Sequence, residues 1–244
     1  MRFTFAGAEY EGREGETLAA ALVRNGVLDG FRSLYRDRPR GVYSAGEEEP
    51  NALVQIGSQP LLRATLVQLE EGLVAEPLAG KGRLLAPDPT RYDTMHAHCD
   101  LLVVGAGRSG RAVARPAQGR VLLVDGLHDD DEVTLGYTWV VGLYPGNYAL
   151  AVERGRRLWR IRARHVVLAT GAIERPPIFP DNDRPGIMLA GAAAKYGNPD
   201  GVTPVSAGWS PRVHLWSQAG GRLAWDDRIG APVPVGELPG VGCV

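Results

Sequence analysis

The sequence predicts an α/β protein, and three patterns carry that prediction. Two apolar runs, Leu101–Val104 and Val121–Val124, enclose a glycine-rich turn, and a third run, Val166–Ala169, also ends near a glycine. Buried parallel strands have this character because both of their faces are covered. Residues 1–70 combine short alternating segments with one amphipathic stretch, which predicts a smaller unit of strands and helix.

The composition limits the class of protein and the partners. The chain has 244 residues, of which 44% are hydrophobic and 23% charged, as in globular proteins. Its formal net charge of -1 creates no overall field that attracts nucleic acid or anionic lipid. No apolar run approaches the ~20 residues of a membrane span, and the first residues lack an apolar signal core. Two cysteines, Cys99 and Cys243, fit a reducing compartment. We therefore expect a cytoplasmic protein that binds neither nucleic acid nor membrane.

Residues 1–85 are predicted to form a β-grasp domain. Thr17 is a suitable N-cap for a helix within 16–27, and Gly26 stands where such a helix ends in the left-handed conformation. The predicted strands are Arg2–Phe5, Ala8–Tyr10, Ala52–Ile56 and Leu61–Val67. A hairpin, a helix, a long loop and further strands follow one another in the order of that fold. The long loop carries a basic patch of four arginines, Arg32, Arg36, Arg38 and Arg40. A solvated surface is favoured over a phosphate contact for this patch.

Residues 86–99 are predicted to be a linker, because they mix polar and apolar residues around two prolines. His96, His98 and Cys99 offer possible metal ligands near the end of this segment. A zinc site needs about four ligands, and the other histidines form no partner motif. A linker is therefore favoured, and no metal site is predicted.

The turn after the first apolar run predicts a dinucleotide site. Gly105, Gly107 and Gly110 fit the pattern G-x-G-x-x-G directly after a strand. The first glycine permits a tight turn, the second lets the backbone approach a pyrophosphate, and the third brings the helix close to the sheet. Together with Ala106 and Ser109, which lie between them, these glycines form the predicted pyrophosphate site.

The second strand and the connecting helix complete this unit. Asp125 ends the strand and is placed to accept a hydrogen bond from an adenosine ribose. The helix is predicted to span only 108–114, because Pro116 lacks an N–H and ends it. The crossover still exceeds the minimum of about 10–12 residues for a parallel connection. We expect a viable but weaker nucleotide site; the alternative is a strand–helix–strand unit that binds nothing.

The third apolar strand, in the segment 165-HVVLATGAIERP-176, ends in small residues. It resembles the strand that returns the chain beside the glycine turn in flavin and pyridine-nucleotide oxidoreductases with paired nucleotide domains. The resemblance implies that these small residues let the backbone pass close to a cofactor, and we assign Thr170 and Gly171 to the site. Two antiparallel strands, Val133–Leu143 and Tyr148–Val152, are expected before it. Residues 100–244 are therefore predicted to form a Rossmann-like, three-layer domain that binds FAD or NAD.

Six segments, spread over nearly the whole chain, carry a family resemblance. They are 37-DRPRGVYSAGEEEPNALVQIG-57, 63-RATLVQLEEGLVAE-76, 91-RYDTMHAHCDLLVVGAG-107, 164-RHVVLATGAIERP-176, 182-NDRPGIMLA-190 and 207-AGWSPRVHLWSQAGG-221. With these segments in this order, the chain resembles the alpha subunits of heterotetrameric sarcosine oxidases, whose kin include opine, proline and N-methylglutamate oxidoreductases.

The resemblance implies a complex with beta, gamma and delta subunits that oxidatively demethylates sarcosine. It implies that the alpha subunit holds NAD, that FMN lies at the alpha–beta interface, and that the beta subunit carries FAD and the amine chemistry. We therefore expect NAD or FAD at the turn 105–110 and no catalytic residue for amine oxidation in this chain. The resemblance also implies a ferredoxin-like fold for the N-terminal domain.

The N-terminal domain departs from the pattern of relatives that bind a plant-type [2Fe–2S] cluster. Those relatives carry cysteines spaced C-x4-C-x2-C, followed by a later cysteine. The matching positions here are Ser44, Glu49, Ala52 and Thr65. Because such clusters are held by thiolates, we predict a ferredoxin-like domain without a cluster.

The chain is also shorter than the family pattern. The family has a second nucleotide-like domain between Tyr196 and Gly201, where this chain has only a short connection. Beyond Val244 the family continues with a folate-binding domain. We therefore expect a truncated or internally deleted member.

Two other functions stay open at this point. The shortened helix and the missing domain favour a catalytically silent scaffold that docks partners and binds no nucleotide. A small independent flavoprotein reductase is the other alternative. The acidic run 129–131 fits a bound cation and a solvated turn equally well, and Glu174 and Arg175 fit either a cofactor contact or a mutual ion pair.

Overall fold

The computed structural model describes residues 1–78, 91–154 and 156–244. Its strands, in chain order, are β1 (Arg2–Phe5), β2 (Ala8–Glu11), β3 (Phe31–Arg32), β4 (Pro39–Arg40), β5 (Leu53–Ile56), β6 (Gln59–Arg63), β7 (Leu73–Pro77), β8 (Asp93–Val104), β9 (Val121–Val124), β10 (Thr138–Tyr144), β11 (Tyr148–Glu153), β12 (Arg157–Leu168), β13 (Ala172–Glu174), β14 (Ile187–Leu189), β15 (Thr203–Val205), β16 (Trp209–Pro211), β17 (Arg222–Asp226), β18 (Ala231–Val235) and β19 (Val241–Cys243). Its helices are α1 (Leu18–Arg24), α2 (Arg108–Ala114), α3 (Ala190–Lys195) and α4 (His214–Gln218). The chain is therefore α/β, with mixed sheets, and it divides into two compact units.

The first unit is built on a five-stranded sheet in the order β2-β1-β7-β5-β6. Strands β1 and β2 form the predicted antiparallel hairpin, and β1 pairs with β7 in parallel. Helix α1 buries one apolar face, including Leu18 and Leu22, in a core with Phe3 and Phe5. The Thr17 hydroxyl accepts a 3.3 Å hydrogen bond from the N–H of Ala20, which confirms the predicted N-cap.

Residues 174–208 belong to this first unit, whereas the sequence assigned them to the C-terminal domain 100–244. Met188 and Leu189 are buried in the same core as α1, and the N–H of Leu189 donates to the Tyr43 carbonyl at 2.8 Å. Asp183 pairs with Arg38 at 3.1 Å and with Arg40 at 2.6 Å, so part of the basic patch is neutralised within the unit. These are long-range contacts, which local sequence patterns do not reveal.

The second unit contains a six-stranded sheet in the order β10-β11-β12-β8-β9, and β19 pairs in parallel with β12. Strands β12, β8 and β9 are parallel to one another, while β10 and β11 form the predicted antiparallel pair. Helix α2 connects β8 to β9 and spans Arg108–Ala114, which confirms the predicted short helix before Pro116. Strand β10 begins at Thr138, later than the predicted Val133.

The predicted linker 86–99 is corrected where the structure describes it. Residues 93–99 form the first half of the long strand β8, which pairs with β12 from Asp93 onward. Ala97 and Cys99 point into the core, and His96 and His98 are exposed. The mixed polarity that suggested a linker is therefore the alternation of a half-exposed strand. Residues 86–90 lie outside the described part of the chain.

None of the helices described by the structure combines the length and the apolar character that a membrane crossing requires.

Candidate functional site

Two glycine-containing turns meet at the carboxyl ends of the parallel strands β8 and β12. The N–H of Ala169, after β12, donates to the Val104 carbonyl at 2.8 Å. The N–H of Gly105, after β8, donates to the Val124 carbonyl of β9 at 2.8 Å. The turns after β8 and β12 are therefore neighbours at the edge of the sheet where open α/β folds bind ligands.

Two of the predicted glycines are required by the packing of the turn itself. Gly105 has a φ of 106°, and a Cβ at this position would overlap the Ala169 carbonyl oxygen. A Cβ at Gly110 would overlap the carbonyl oxygen of Gly105. The first and third glycines therefore bring β8, α2 and the turn after β12 into close contact, as the motif predicted.

The second glycine of the motif leaves open space instead. A Cβ on Gly107 or on Gly171 would have no neighbour within 4 Å, and both residues are exposed. Ser109 is also exposed, whereas Ala106 is only 1% exposed. The backbone around Gly107 is consequently accessible from solvent, which is the condition for a close approach by a phosphate.

Asp125 is directed toward the glycine turn. Its Oδ2 accepts a 2.7 Å hydrogen bond from the N–H of Ala106. Its Oδ1 accepts from the N–H of Leu127 at 2.7 Å, from the N–H of His128 at 2.8 Å and from the His128 ring at 2.9 Å. Each carboxylate oxygen has about two acceptor positions. Oδ2 accepts only from Ala106, so it is the oxygen that retains capacity for a further donor.

The protonation of Asp125 is governed by opposing effects. Burial raises the pKa of its carboxyl, but the hydrogen bonds from Ala106, Leu127 and His128 outweigh that effect, and the pKa is lowered from its usual value. The side chain is 14% exposed. Asp125 is thus an anion at neutral pH that remains partly open to solvent.

Arg111 organises the loop that follows β9, a role that the sequence analysis did not identify. Its Nε donates to the Ala106 carbonyl at 2.7 Å, and its guanidinium pairs with Asp130 and Glu132. Arg115 also pairs with Glu132, at 2.9 Å. The sequence offered one indication of this role: Arg111 directly follows Gly110, and acidic residues follow β9.

The acidic run 129–131 acts as a partner for arginines in this structure. Asp130 bonds Arg111, and Asp129 bonds Arg154 at 3.2 Å. The described residues contain no group of three or more histidine, cysteine, aspartate or glutamate side chains suited to hold a metal ion. His96 and His98 also point away from Cys99, because they lie on the opposite face of β8.

Thr170 lies beside the glycine turn, but its hydroxyl is engaged in a hydrogen bond within the protein. The Thr170 Oγ1 donates to the Arg212 carbonyl at 2.9 Å, and the N–H of Arg212 donates to the Gly171 carbonyl at 3.0 Å. Burial lowers the pKa of Arg212. The structure therefore places the predicted residues next to one another, in the turns that follow β8, β9 and β12. The Thr170 hydroxyl holds the turn after β12 in position through its bond to the Arg212 carbonyl.

The N-terminal part of the chain matches a known protein family. Residues 1–79 match the family described as "2Fe-2S iron-sulfur cluster binding domain". The match agrees with the predicted ferredoxin-like domain and covers most of the range 1–85 assigned to it.

Curated relatives cover more of the chain. The sarcosine oxidase subunit alpha of Corynebacterium sp. (strain U-96) is 39% identical over 83% of this chain, and that of Rhizobium meliloti (strain 1021) is 35% identical over 92%. This confirms the resemblance inferred from the sequence. The chain spans only 27% and 32% of the lengths of these two relatives. The second alignment extends over 324 positions, more than the 244 residues of this chain, so that relative has internal residues absent here.

A solved structure with a similar fold is the L-proline dehydrogenase from P. horikoshii. The two structures agree with a TM-score of 0.75 at 19% sequence identity, over 100% of this chain and 68% of the other. At this level of identity the likeness concerns the fold alone.

Proposed function

Because the chain is a homologue of the sarcosine oxidase alpha subunits, we propose that it is a dinucleotide-binding component of a flavin-dependent amine oxidoreductase. In this proposal the turn 105–110 of a Rossmann-like domain binds the pyrophosphate of NAD or FAD, and Asp125 binds a ribose hydroxyl. Oxidative demethylation of sarcosine takes place in a complex with beta, gamma and delta subunits, and FMN lies at a subunit interface.

The observation that carries this proposal is the arrangement of the two turns around Gly107. Gly105 and Gly110 are closely packed, while Gly107 and Gly171 face open space at the carboxyl ends of neighbouring parallel strands. The φ of 69° at Gly171 itself favours glycine. Gly107 has a φ of -69°, so neither its packing nor its backbone conformation requires glycine, and a ligand that needs the space would explain the residue. Arg108, which begins α2, is exposed, and the first turn of α2 contains no acidic residue. This local charge favours an anionic ligand.

The residues of the chain would position the cofactor and leave the chemistry to it. A bound nicotinamide or flavin would accept the hydride. The backbone around Gly107 would hold the phosphates, and Asp125 Oδ2 would accept a hydrogen bond from one ribose hydroxyl. Thr170 and Gly171 would shape the second side of the site through the backbone, since the Thr170 hydroxyl already bonds Arg212.

Titration of the purified chain with NAD and with FAD tests the proposal. At a ligand concentration about 100-fold above Kd, binding to the folded state adds about 2.7 kcal/mol, which raises the melting temperature by about 5–10 °C. Asp125→Ala removes the ribose acceptor and is expected to weaken binding by about 10- to 100-fold, as measured by calorimetry below the melting temperature.

The matched control is Asp131→Asn. It removes an acidic charge from an exposed position of the nearby loop and should leave the affinity unchanged. Equal binding by wild type and Asp125→Ala would contradict the assignment of Asp125. No response to either nucleotide would contradict dinucleotide binding itself.

One observation favours the second candidate function, a scaffold without nucleotide. Asp125 already accepts four hydrogen bonds from Ala106, Leu127 and His128 of its own chain, so most of the acceptor capacity of its carboxylate is used without a ligand. In that case the glycine turn serves only the packing of α2 on the sheet. The same titrations separate the two functions, because a scaffold gives flat responses to both nucleotides.

A further inference from the structure

Residues 1–79 match a family described as "2Fe-2S iron-sulfur cluster binding domain". The positions that the family resemblance assigns to cluster ligands are Ser44, Glu49, Ala52 and Thr65, and all four are buried, with exposures of 1%, 2%, 0% and 2%. Glu49 is joined by hydrogen bonds to the backbone of Ser44 and of Ala52. A [2Fe–2S] cluster is held by thiolates. Both cysteines of the chain, Cys99 and Cys243, lie outside the matched segment.

The buried Glu49 carboxylate accepts hydrogen bonds from four backbone N–H groups of its own loop. Its Oε2 accepts hydrogen bonds from the N–H groups of Tyr43 at 3.0 Å and Ser44 at 2.6 Å. Its Oε1 accepts from the N–H groups of Asn51 at 2.7 Å and Ala52 at 2.9 Å. Each oxygen takes two backbone donors, so the acceptor positions of the carboxylate are filled.

Two pairs of successive backbone N–H groups, 43–44 and 51–52, thus converge on one buried anion. Concave arrangements of this kind bind anions, including phosphates and iron–sulfur clusters. The loop 43–52 retains such an arrangement, although its ligand positions offer no thiolate. Because the anion is now a side chain of the loop itself, the space around the N–H groups is already taken.

The rest of the loop is held by the same unit. Thr65, at the fourth ligand position, donates its hydroxyl to the Gly46 carbonyl at 2.6 Å. The Lys195 ammonium donates to the Ala45 carbonyl at 3.2 Å, and the Tyr196 hydroxyl donates to the Ser44 carbonyl at 3.3 Å. Burial raises the pKa of Glu49, and its four backbone hydrogen bonds oppose that rise. The N–H groups provide the compensation that a buried carboxylate needs.

We propose that the Glu49 carboxylate replaces the iron–sulfur cluster as the anion around which the loop 43–52 folds. The ferredoxin-like domain then carries no redox centre, and its loop keeps a cluster-binding backbone by means of an internal anion. The inference concerns the first unit alone and does not depend on whether the glycine turn 105–110 binds a dinucleotide.

Reconstitution of the full chain tests the first half of the proposal. The protein is incubated anaerobically with ferrous iron, sulfide and a thiol, then desalted, with a plant-type ferredoxin treated in parallel. We expect iron and acid-labile sulfide far below one cluster per chain and no visible charge-transfer absorption. A stoichiometric cluster that survives desalting, with the absorption seen in the ferredoxin, overturns the proposal.

The Glu49→Gln variant tests the second half, the role of the anion. The amide keeps the volume of the side chain but turns an N–H₂ group toward two backbone donors, which are left without an acceptor. We expect a fall in melting temperature of about 5 °C or more. Glu9→Gln, which changes an exposed residue of strand β2, is the control. Its melting temperature should equal that of the wild type. Equal melting of Glu49→Gln and wild type rules out the structural role.

Hydrogen exchange of the wild-type protein provides a test that needs no variant. If the carboxylate holds the loop, the amides of Tyr43, Ser44, Asn51 and Ala52 exchange as slowly as those of the neighbouring strand β5. Exchange of these four amides at the rate of an unprotected loop contradicts the proposal, even if Glu49→Gln fails to fold.

Discussion

Asp125 Oδ2 lies 2.7 Å from the backbone nitrogen of Ala106, so the carboxylate at the end of β9 is joined directly to the turn at the end of β8. The same side chain caps the start of the next loop through the N–H groups of Leu127 and His128. One residue therefore fixes two backbone segments whose positions define the candidate site. Its replacement should affect the turn even when no ligand is present.

Asp125→Ala is expected to destabilise the chain in the absence of nucleotide. Three backbone N–H groups would lose their acceptor at a side chain that is 14% exposed, which corresponds to a loss of about 2 kcal/mol or more in the free energy of unfolding. Denaturant unfolding measures the difference. Because the pKa of Asp125 is lowered in the folded state, its contribution is present at neutral pH and is lost as the pH falls through that pKa. A variant as stable as wild type at neutral pH would contradict the role of Asp125 in the turn.

Alanine substitutions in the glycine turn should separate stability from binding. At Gly105, with a φ of 106°, a Cβ costs about 1–2 kcal/mol from the backbone conformation alone and also overlaps the Ala169 carbonyl. Gly107 has a φ of -69°, and a Cβ there would have no neighbour within 4 Å. The melting temperature of Gly107→Ala should therefore equal that of the wild type. If a pyrophosphate approaches there, the same variant loses nucleotide affinity, as calorimetry would show. Full affinity in a stable Gly107→Ala protein would contradict a phosphate contact at this position.

The glycine turn and its short helix could be predicted because local rules determine them. Pro116 has no N–H to continue a helix, so α2 ends at Ala114. The turn after β8 needs a positive φ at Gly105, which glycine tolerates best. Thr17 caps α1 by the same kind of short-range interaction. In each case the residues that decide the structure are within a few positions of one another.

Other features escaped prediction because they depend on contacts distant in sequence. Strand β12 runs unbroken from Arg157 to Leu168, because it pairs with β8 over nearly its whole length. The position of 174–208 in the first unit depends on burial of Met188 beside residues of the N-terminal core. The convergence of four backbone N–H groups on Glu49 is likewise a property of the folded loop, since the sequence indicated only the missing thiolates.

The two cysteines should differ in reactivity. Burial raises the pKa of the Cys99 thiol to about 11, so very little of it is thiolate near pH 8. Burial also raises the pKa of Cys243, but this residue is exposed, whereas Cys99 is buried. We expect iodoacetamide to label Cys243 first, as followed by peptide mass spectrometry. In concentrated urea both should react alike. Equal rates in the native protein would contradict the burial of Cys99 in β8.

Removal of Arg111 should produce a pH-dependent loss of stability. The Arg111 guanidinium lowers the pKa of Asp130 to about 2 from a usual value of 3.8, so the pair contributes at neutral pH and its contribution is lost between about pH 4 and about pH 2. Arg111→Gln should melt about 2 °C below the wild type at neutral pH. The difference should shrink as Asp130 becomes protonated.

Arg156→Gln, which removes an exposed arginine of the same unit, is the control for overall charge. It should melt close to the wild type across the whole pH range. Because Arg111 also donates to the Ala106 carbonyl, a part of the Arg111→Gln deficit should persist at low pH, where Asp130 is neutral. A deficit that is the same at all pH values would assign the effect to the bond with Ala106 alone. A deficit that grows as the pH falls would contradict the pairing with Asp130.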